Sequence, residues 1–423
     1  MRDLLFLTVW AGSLPLIIYR PWIGILVWSW IGYMNPHMLS WGARSLPVAM
    51  AVAVVTLVGL VITKDRKGVP LTREMVFLLL LTIHFTITTA MAWAPDAAWV
   101  QWDKVMKIML FTFITPMLIF GRKKIHALLL VIALSIGFYG LKGGIFSIMT
   151  GGAFRVWGPG RSFIGDNNSL GLAMIMVLPM LIFLAREENR AWLRRSLYII
   201  AGFTVIATIF TYSRGAFLGL ACISPFLFFN FKKKFLVMIL LIPVALIGSQ
   251  LIPDAIYERA GMIRTYEEDM SAMGRIQAWG AAYEIANSFP LTGGGFQNWR
   301  NRDMWMQHAD PDHLWGHVVP RATHSIYFDM LGDHGWVGLF LFLGVLVFTY
   351  KRLRRLQQMT EDSADLSWIG NYALCLRIGL IGYMTTGAFL SLAYFDLFYA
   401  LVALTAILQR EFDQAQVAAV PAV

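Results

Sequence analysis

The stretch NNSLGLAMIMVLPMLIFLA at residues 167–185 is followed directly by REENRAWLRR at residues 186–195. The first stretch is long enough to cross the hydrocarbon core of a bilayer, which takes about 20 residues of helix. The second stretch carries four arginines, and basic residues next to a span mark its cytoplasmic end by the positive-inside rule. The pair therefore predicts a transmembrane helix whose C-terminal end faces the cytoplasm.

The composition agrees with a membrane protein. Of the 423 residues, 58% are hydrophobic and 14% are charged, against about 25% charged in an average soluble chain. This excludes a soluble protein. A net charge of +10 is typical of basic cytoplasmic loops, so we expect no nucleic acid partner. Cys222 and Cys375 both lie in apolar stretches, which excludes a disulfide framework.

Basic clusters recur after pairs of apolar runs, and we assign all of them to the cytoplasmic side. The clusters are Lys64–Lys67, Arg122–Lys124, Arg186–Arg195, Lys232–Lys234 and Lys351–Arg355. The apolar runs are 46–62, 75–93, 105–120, 127–146, 167–185, 196–212, 215–230, 235–252, 326–350, 371–392 and 395–409. They predict eleven spans and a cytoplasmic C-terminus.

Residues 4–33 are also apolar but are broken by Arg20-Pro21. They form either one bent crossing, with the N-terminus inside, or a hairpin with the N-terminus outside. We favour the bent crossing. The sequence then predicts an all-α integral membrane protein, a single polytopic domain over residues 1–423 with about twelve transmembrane helices.

This topology leaves one long segment on the outer face, residues 253–324, and three short segments at 34–45, 94–104 and 147–166. The stretch from Glu268 to Asn287 has helical composition, and Gly293-Gly294-Gly295 predicts a turn. We therefore expect a large outer loop that contains helices joined by turns.

Positive charge on the outer face is almost entirely arginine. Lys104 is the single lysine, and the ten arginines are Arg44, Arg155, Arg161, Arg214, Arg259, Arg264, Arg275, Arg300, Arg302 and Arg321. A planar guanidinium binds phosphate oxygens through two parallel hydrogen bonds, which an ammonium group does not. The excess predicts an outward site for a phosphorylated ligand. Pairing with the nine acidic residues of 253–324 is the alternative interpretation.

Three of these arginines have distinctive positions. Arg161 follows the Gly-Pro-Gly turn at 158–160, and Arg214 lies between two spans with almost no loop around it, where an arginine is costly unless it has a partner. Arg275 lies on the predicted outer helix, four residues before Trp279, which could stack on it.

Five of the eight histidines lie within 27 residues: His308, His313, His317, His324 and His334. The helical spacing of His313 and His317, near Asp310 and Asp312, could serve a metal, but Pro311 and Gly316 interrupt such a helix. The alternative is a single general base, which suits an imidazole at neutral pH. We favour His324 as this base because it opens a span, and we predict no metal and no cofactor.

The region around His324 resembles a known family. His324-Ser325, nine residues and then Gly335-Trp336-Val337-Gly338 match the H-[NSQ]-x9-G-x-x-G pattern of bacterial O-antigen ligases. Tyr-Ser-Arg-Gly at 212–215, and the segment from Arg275 to Phe296, resemble the other two motifs of the O-antigen ligase and polymerase superfamily.

The resemblance implies a metal-independent, inverting glycosyltransferase of C-type architecture in the bacterial inner membrane. The implied donor is a polysaccharide on undecaprenyl pyrophosphate, presented at the periplasmic face, and the implied acceptor is lipid A-core. His324 would be the base and loop 253–324 periplasmic, with the lipid tail along apolar spans. The implied pyrophosphate ligands are Arg161, Arg214 and Arg275, with further contacts from Arg264, Arg321, His313 and His317.

Two alternatives remain. One is another transferase of the superfamily, either an O-antigen polymerase or a protein O-oligosaccharyltransferase that glycosylates a pilin. The other is a transporter, for which matching inverted halves are expected. The halves of this chain do not match, because the large outer loop lies only in the C-terminal half.

Overall fold

The fold was analysed in a computed structural model that describes residues 2–160, 162–229, 270–310 and 319–419. All regular structure in these ranges is helical, as the sequence predicted. The α-helices are α1 Arg2–Tyr19, α2 Trp22–Met34, α3 Val48–Ile62, α4 Arg73–Ala90, α5 Pro95–Leu118, α6 Gly121–Met149, α7 Asn167–Glu187, α8 Ala191–Ile209, α9 Arg214–Phe229, α10 Met270–Ser288, α11 Arg302–Met306, α12 Ile326–Met359, α13 Ser367–Gly387 and α14 Asp396–Ala419. Short 3-10 turns occupy Pro36–Leu39 and Asn298–Arg300.

Six of the described helices are long and apolar enough to cross a membrane: α1, α4, α6, α7, α8 and α12. The shorter helices α2, α3 and α9 are also apolar. The protein is thus a multi-pass membrane protein, while the total of about twelve spans stays a prediction. The predicted span 235–252 and the cluster Lys232–Lys234 lie outside the described residues.

The core forms around α7, which is buried along almost its whole length. Helices α6, α8, α9 and α13 pack around it. Close approach of α6 and α8 depends on small residues: a side chain at Gly140 would collide with Thr204, and one at Gly144 would collide with the Phe203 carbonyl. Small residues at helix contacts are the usual means of tight packing in membrane bundles.

The N-terminal segment corrects our prediction of one bent crossing. The Phe6 ring, in the first turns of α1, lies 5.8 Å from the Trp30 ring, near the end of α2. The Gly42 amide donates to Asp3 at 3.1 Å. Helices α1 and α2 are therefore an antiparallel hairpin that turns at Arg20-Pro21. The apolar pattern is the same whether the chain continues across the membrane or turns back after Arg20-Pro21. Only tertiary contacts distinguish a bent crossing from a hairpin.

The four described basic clusters meet at one end of the bundle, which we call the inner end. The contacts that connect them are Arg122–Glu187 at 2.8 Å, Lys124–Asp65 at 3.2 Å, Lys67–Gln414 at 2.9 Å and Arg352–Gln409 at 2.9 Å. The segments at the opposite, outer end are also joined. The Trp93 amide donates to the Gly294 carbonyl at 3.0 Å, and the Val156 amide donates to the Phe210 carbonyl at 3.0 Å. The His324 amide donates to the Ser391 hydroxyl at 2.9 Å.

Two boundaries differ from those predicted. Residues 95–104 belong to α5 and not to a loop, because Pro95 begins the helix at a position where its missing N–H costs nothing. The run 371–392 stops being helical at Gly387. The helix predicted from Glu268 to Asn287 is confirmed as α10, while its location outside the bilayer stays a prediction, and Gly293–Gly295 forms the predicted turn.

The hairpin predicts that the N-terminus lies on the same side of the membrane as α10. In a background without Cys222 and Cys375, cysteines at the exposed positions Arg2 and Ser288 should react with an impermeant thiol reagent in intact spheroplasts. Cysteine at the exposed position Asp362, on the inner end, should react only after lysis. Arg2→Cys behaving like Asp362→Cys would contradict the hairpin.

Candidate functional site

His324 lies in an exposed position in the loop that leads into α12. Its φ of 51° is in the left-handed region, which is uncommon for a residue with a side chain. The His324 amide donates to the Ser391 hydroxyl at 2.9 Å, and the Ser391 hydroxyl donates to Asp329 Oδ1 at 3.1 Å. The Thr323 hydroxyl donates to the same oxygen at 2.5 Å. A buried carboxylate thus fixes the unusual backbone at His324.

Helix α10 brings Arg275 to the same loop. The Trp279 indole N–H, one helical turn after Arg275, donates to the Thr323 carbonyl at 2.8 Å. Its ring stacks on Phe328, with centroids 5.0 Å apart and planes 5° apart. Trp279 therefore joins α10 to α12 and holds Arg275 next to His324.

Arg321 completes this face. A Cβ at Gly274 would collide with the Arg321 guanidinium, so that group rests against the backbone of α10. Arg275, Arg321 and His324 thus lie together at the junction of α10 and α12.

The electrostatic surroundings of His324 also involve α7. Partial burial lowers the pKa of His324 from its ordinary value of 6.5. The positive charges of Arg275 and Arg321 lower that pKa further, while the Asp166 carboxylate opposes them. The His324 side chain is accessible to solvent, while the surrounding protein atoms shield part of the ring. Its neutral form is therefore favoured at neutral pH.

Asp166 is the N-cap of α7, where its Oδ1 accepts from the amides of Asn168 at 2.9 Å and Ser169 at 3.0 Å. The Asn167 side-chain amide donates to the Thr211 carbonyl at 2.8 Å. These bonds tie the start of α7 to the turn before α9, and so bring the 211–214 turn toward the His324 loop.

Arg214 is exposed at the first residue of α9. The preceding Tyr212 has a φ of 54°, and its hydroxyl donates to the Gly152 carbonyl at 2.5 Å. Gly215 lies against the Thr386 carbonyl at the end of α13, a few residues before Ser391. The turn that carries Arg214 and the loop that carries His324 therefore pack on the same segment.

The glycines of the sequence motif lie at a close backbone contact between α12 and the turn that follows α10. Helix α12 is kinked at Gly335, where φ is 68°, and a side chain there would collide with the Pro290 carbonyl. The amides of Gly294 and Gly295 donate to the carbonyls of Gly332 and Asp333, both at 2.9 Å. Only residues without side chains permit this approach, which explains both glycine clusters.

A buried polar network lies directly behind the kink. Its contacts are His334 Nδ1 to the Thr88 hydroxyl at 2.7 Å, His334 Nε2 to the Tyr394 hydroxyl at 3.0 Å, Tyr394 to Asp333 at 2.7 Å and Asn298 to Asp333 at 2.8 Å. His334 is fully buried, so this histidine has a structural environment and not an accessible one.

The other predicted site residues fall outside the described part of the chain. They are Arg161, Arg264, His313 and His317. Sequence reasoning missed Asp166, Ser391 and Asp329. Asp166 carried a local signal, since an Asp before an apolar helical run is a preferred N-cap. Ser391 and Asp329 carried none, because they meet His324 only through tertiary structure.

Comparison with known protein families gave two matches. Residues 199–343 match the family described as O-antigen ligase, and this range contains Arg214, Arg275, Arg321 and His324. Residues 1–189 match a family of unknown function (DUF5935). No curated protein matches the chain. The match over residues 199–343 supports a multi-pass member of the O-antigen ligase and polymerase superfamily.

Proposed function

We propose that this protein is an O-antigen ligase. It would transfer a polysaccharide from undecaprenyl pyrophosphate to lipid A-core at the periplasmic face of the bacterial inner membrane. The observation that carries the proposal is an exposed His324 beside Arg275 and Arg321, inside the range that matches the O-antigen ligase family. The C-terminus and the inner end would face the cytoplasm, in agreement with the basic residues gathered there.

The chemical step needs a base for the acceptor. An acceptor hydroxyl attacks the anomeric carbon while its proton passes to a ring nitrogen of His324. The new C–O bond forms as the bond from that carbon to the pyrophosphate oxygen breaks, and the pyrophosphate leaves with the electron pair. Attack from the side opposite the leaving group inverts the anomeric centre. General base catalysis of this kind contributes typically 10²–10⁴-fold.

The leaving group needs cations and no general acid, because pyrophosphate is stable as an anion. Arg275 and Arg214 would hold it, with Arg321 as a further contact. Arg161 stays a predicted pyrophosphate ligand, and Arg264, His313 and His317 stay predicted further contacts of donor or acceptor. Guanidinium groups stabilise developing phosphate charge strongly where water is excluded. In this proposal the reaction needs no metal.

The isoprenoid tail of the donor would lie along α9. Below Arg214, one face of this helix exposes Phe217 at 41%, Leu218 at 51% and Phe229 at 72% of their surfaces. These residues follow the spacing of one helical face, with Arg214 at its outer end. A lipid with a pyrophosphate head and a long apolar tail matches that order of charge and apolar surface.

His324→Ala should reduce transfer by about 100-fold or more, because the acceptor proton loses its base. The measurement is transfer by purified protein in excess EDTA, from polysaccharide on undecaprenyl pyrophosphate to lipid A-core. Donor binding should stay near that of the unaltered protein, since His324 contacts the acceptor.

The matched control is His308→Ala, the same change at the outer end. His308 stacks on Trp93 at 5.2 Å and lies 6.0 Å from the Phe289 ring, beyond the C-terminal end of α10 and at the opposite end of that helix from Arg275, so transfer should be nearly normal. Near-normal transfer by His324→Ala, or complete loss of wild-type transfer in EDTA, would contradict the mechanism.

The charges around His324 predict opposite shifts in the pH profile. In the unaltered protein the midpoint of the acid limb of kcat/KM should lie below pH 6.5, because the pKa of His324 is lowered. Arg321→Gln removes a charge that lowers this pKa, so the limb should move to higher pH. Asp166→Asn removes a charge that raises it, so the limb should move to lower pH, while asparagine still caps α7.

Arg300→Gln is the control for the pH profile. Arg300 is exposed and lies over the Trp299 ring at 5.1 Å, so its removal should leave the acid limb in place. Acid limbs that coincide in all four proteins would show that His324 is not the titrating group.

A further inference from the structure

A cavity of about 460 Å³ lies at the inner end of the bundle, at the opposite end from the His324 site. It is formed by the turn of the α1–α2 hairpin, the end of α3 and the turn between α5 and α6. The lining residues are Tyr19, Arg20, Pro21, Trp22, Thr63, Asp65, Leu118, Lys123 and Lys124. Nothing in the proposed transfer reaction uses this cavity.

The cavity is positively charged. Arg20, Lys123 and Lys124 line it, against the single carboxylate of Asp65. Lys124 is bound to Asp65 at 3.2 Å and lies over the Phe120 ring at 3.5 Å. The side chains of Arg20 and Lys123 are exposed and have no hydrogen-bond or ion-pair partner among the described residues. Two cations are therefore available to an anion.

The N-terminus of α6 adds to this potential. Helix α6 begins after Phe120, which provides no side-chain cap. The first amides of a helix lack intrahelical acceptors and carry partial positive charge, which favours an anionic group such as phosphate. Lys123 and Lys124 lie in the first turn of α6, so the helix and its side chains act on the same cavity.

The surroundings favour a lipid over a free anion. Tyr19 and Trp22 line the cavity, and such residues are enriched where the bilayer meets water. Next to Thr63, the end of α3 exposes Val61 at 74% and Ile62 at 63% of their surfaces. A cationic cavity with partly apolar walls thus lies next to the exposed apolar residues Val61 and Ile62, which matches a phosphate headgroup followed by acyl chains.

We propose that this cavity binds the phosphate headgroup of an anionic phospholipid of the cytoplasmic leaflet. Arg20 and Lys123 contact the phosphate, Tyr19 and Trp22 lie at the glycerol level, and the acyl chains follow Val61 and Ile62. Bound there, the lipid joins the hairpin to the α5–α6 turn. This inference does not depend on the proposed transfer reaction.

The test uses the full-length protein purified in a neutral detergent, with phosphatidylglycerol and phosphatidylcholine as probes and native mass spectrometry as the readout. The unaltered protein should retain phosphatidylglycerol in preference to phosphatidylcholine. Arg20→Gln/Lys123→Gln should lose about tenfold or more of that preference. This pair leaves the Lys124–Asp65 ion pair intact, so the fold should persist.

The matched control is Lys351→Gln/Arg354→Gln, which removes the same charge from two exposed residues at the inner end. It should retain phosphatidylglycerol within about twofold of the unaltered protein, because only diffuse attraction is lost. Equal losses in the two variants, or no loss in Arg20→Gln/Lys123→Gln, would overturn the proposal. Displacement of the lipid by excess inorganic phosphate would show a simple anion site and also overturn it.

Discussion

The outer half of the molecule depends on a backbone contact between the kink of α12 at Gly335 and the turn at Gly293–Gly295. Carbonyl and amide groups meet there at 2.9 Å with no side chain between them. Because the turn follows α10 directly, the contact fixes where α10 ends relative to α12. Trp279 fixes the same two helices a few turns away, through its bond to Thr323. Arg275 and His324 lie next to each other as a result of these two attachments.

The arginines of the candidate site have two effects in the proposed mechanism, one on the leaving group and one on the base. In the proposed mechanism Arg275 and Arg321 would hold the departing pyrophosphate, and the same two arginines lower the pKa of His324. A lower pKa keeps the imidazole neutral and able to accept a proton, although it makes the base intrinsically weaker. Asp166 opposes this effect from the start of α7, so groups from α7, α10 and the loop before α12 together set the protonation state of His324.

Apolar runs and basic clusters predicted most of the described helices, because both reflect what a bilayer requires of a chain. They did not predict the α1–α2 hairpin, since hydrophobicity is the same for a helix that continues and one that turns back. The sequence motif pointed to His324. Its glycines have a structural reason, because they lie where two backbone segments are in direct contact. Ser391 and Asp329 support His324 through contacts between distant segments, which no spacing in the sequence reveals.

The carrier on which the polysaccharide accumulates tests most directly whether this protein is a ligase with His324 as its base. A strain that lacks this protein should make no long-chain polysaccharide on lipid A-core and should accumulate full-length polymer on undecaprenyl pyrophosphate. The His324→Ala variant should reproduce that phenotype. Accumulation of single repeat units in place of polymer would indicate a polymerase, and unchanged long-chain lipopolysaccharide would contradict the account of His324 as the base of a ligase.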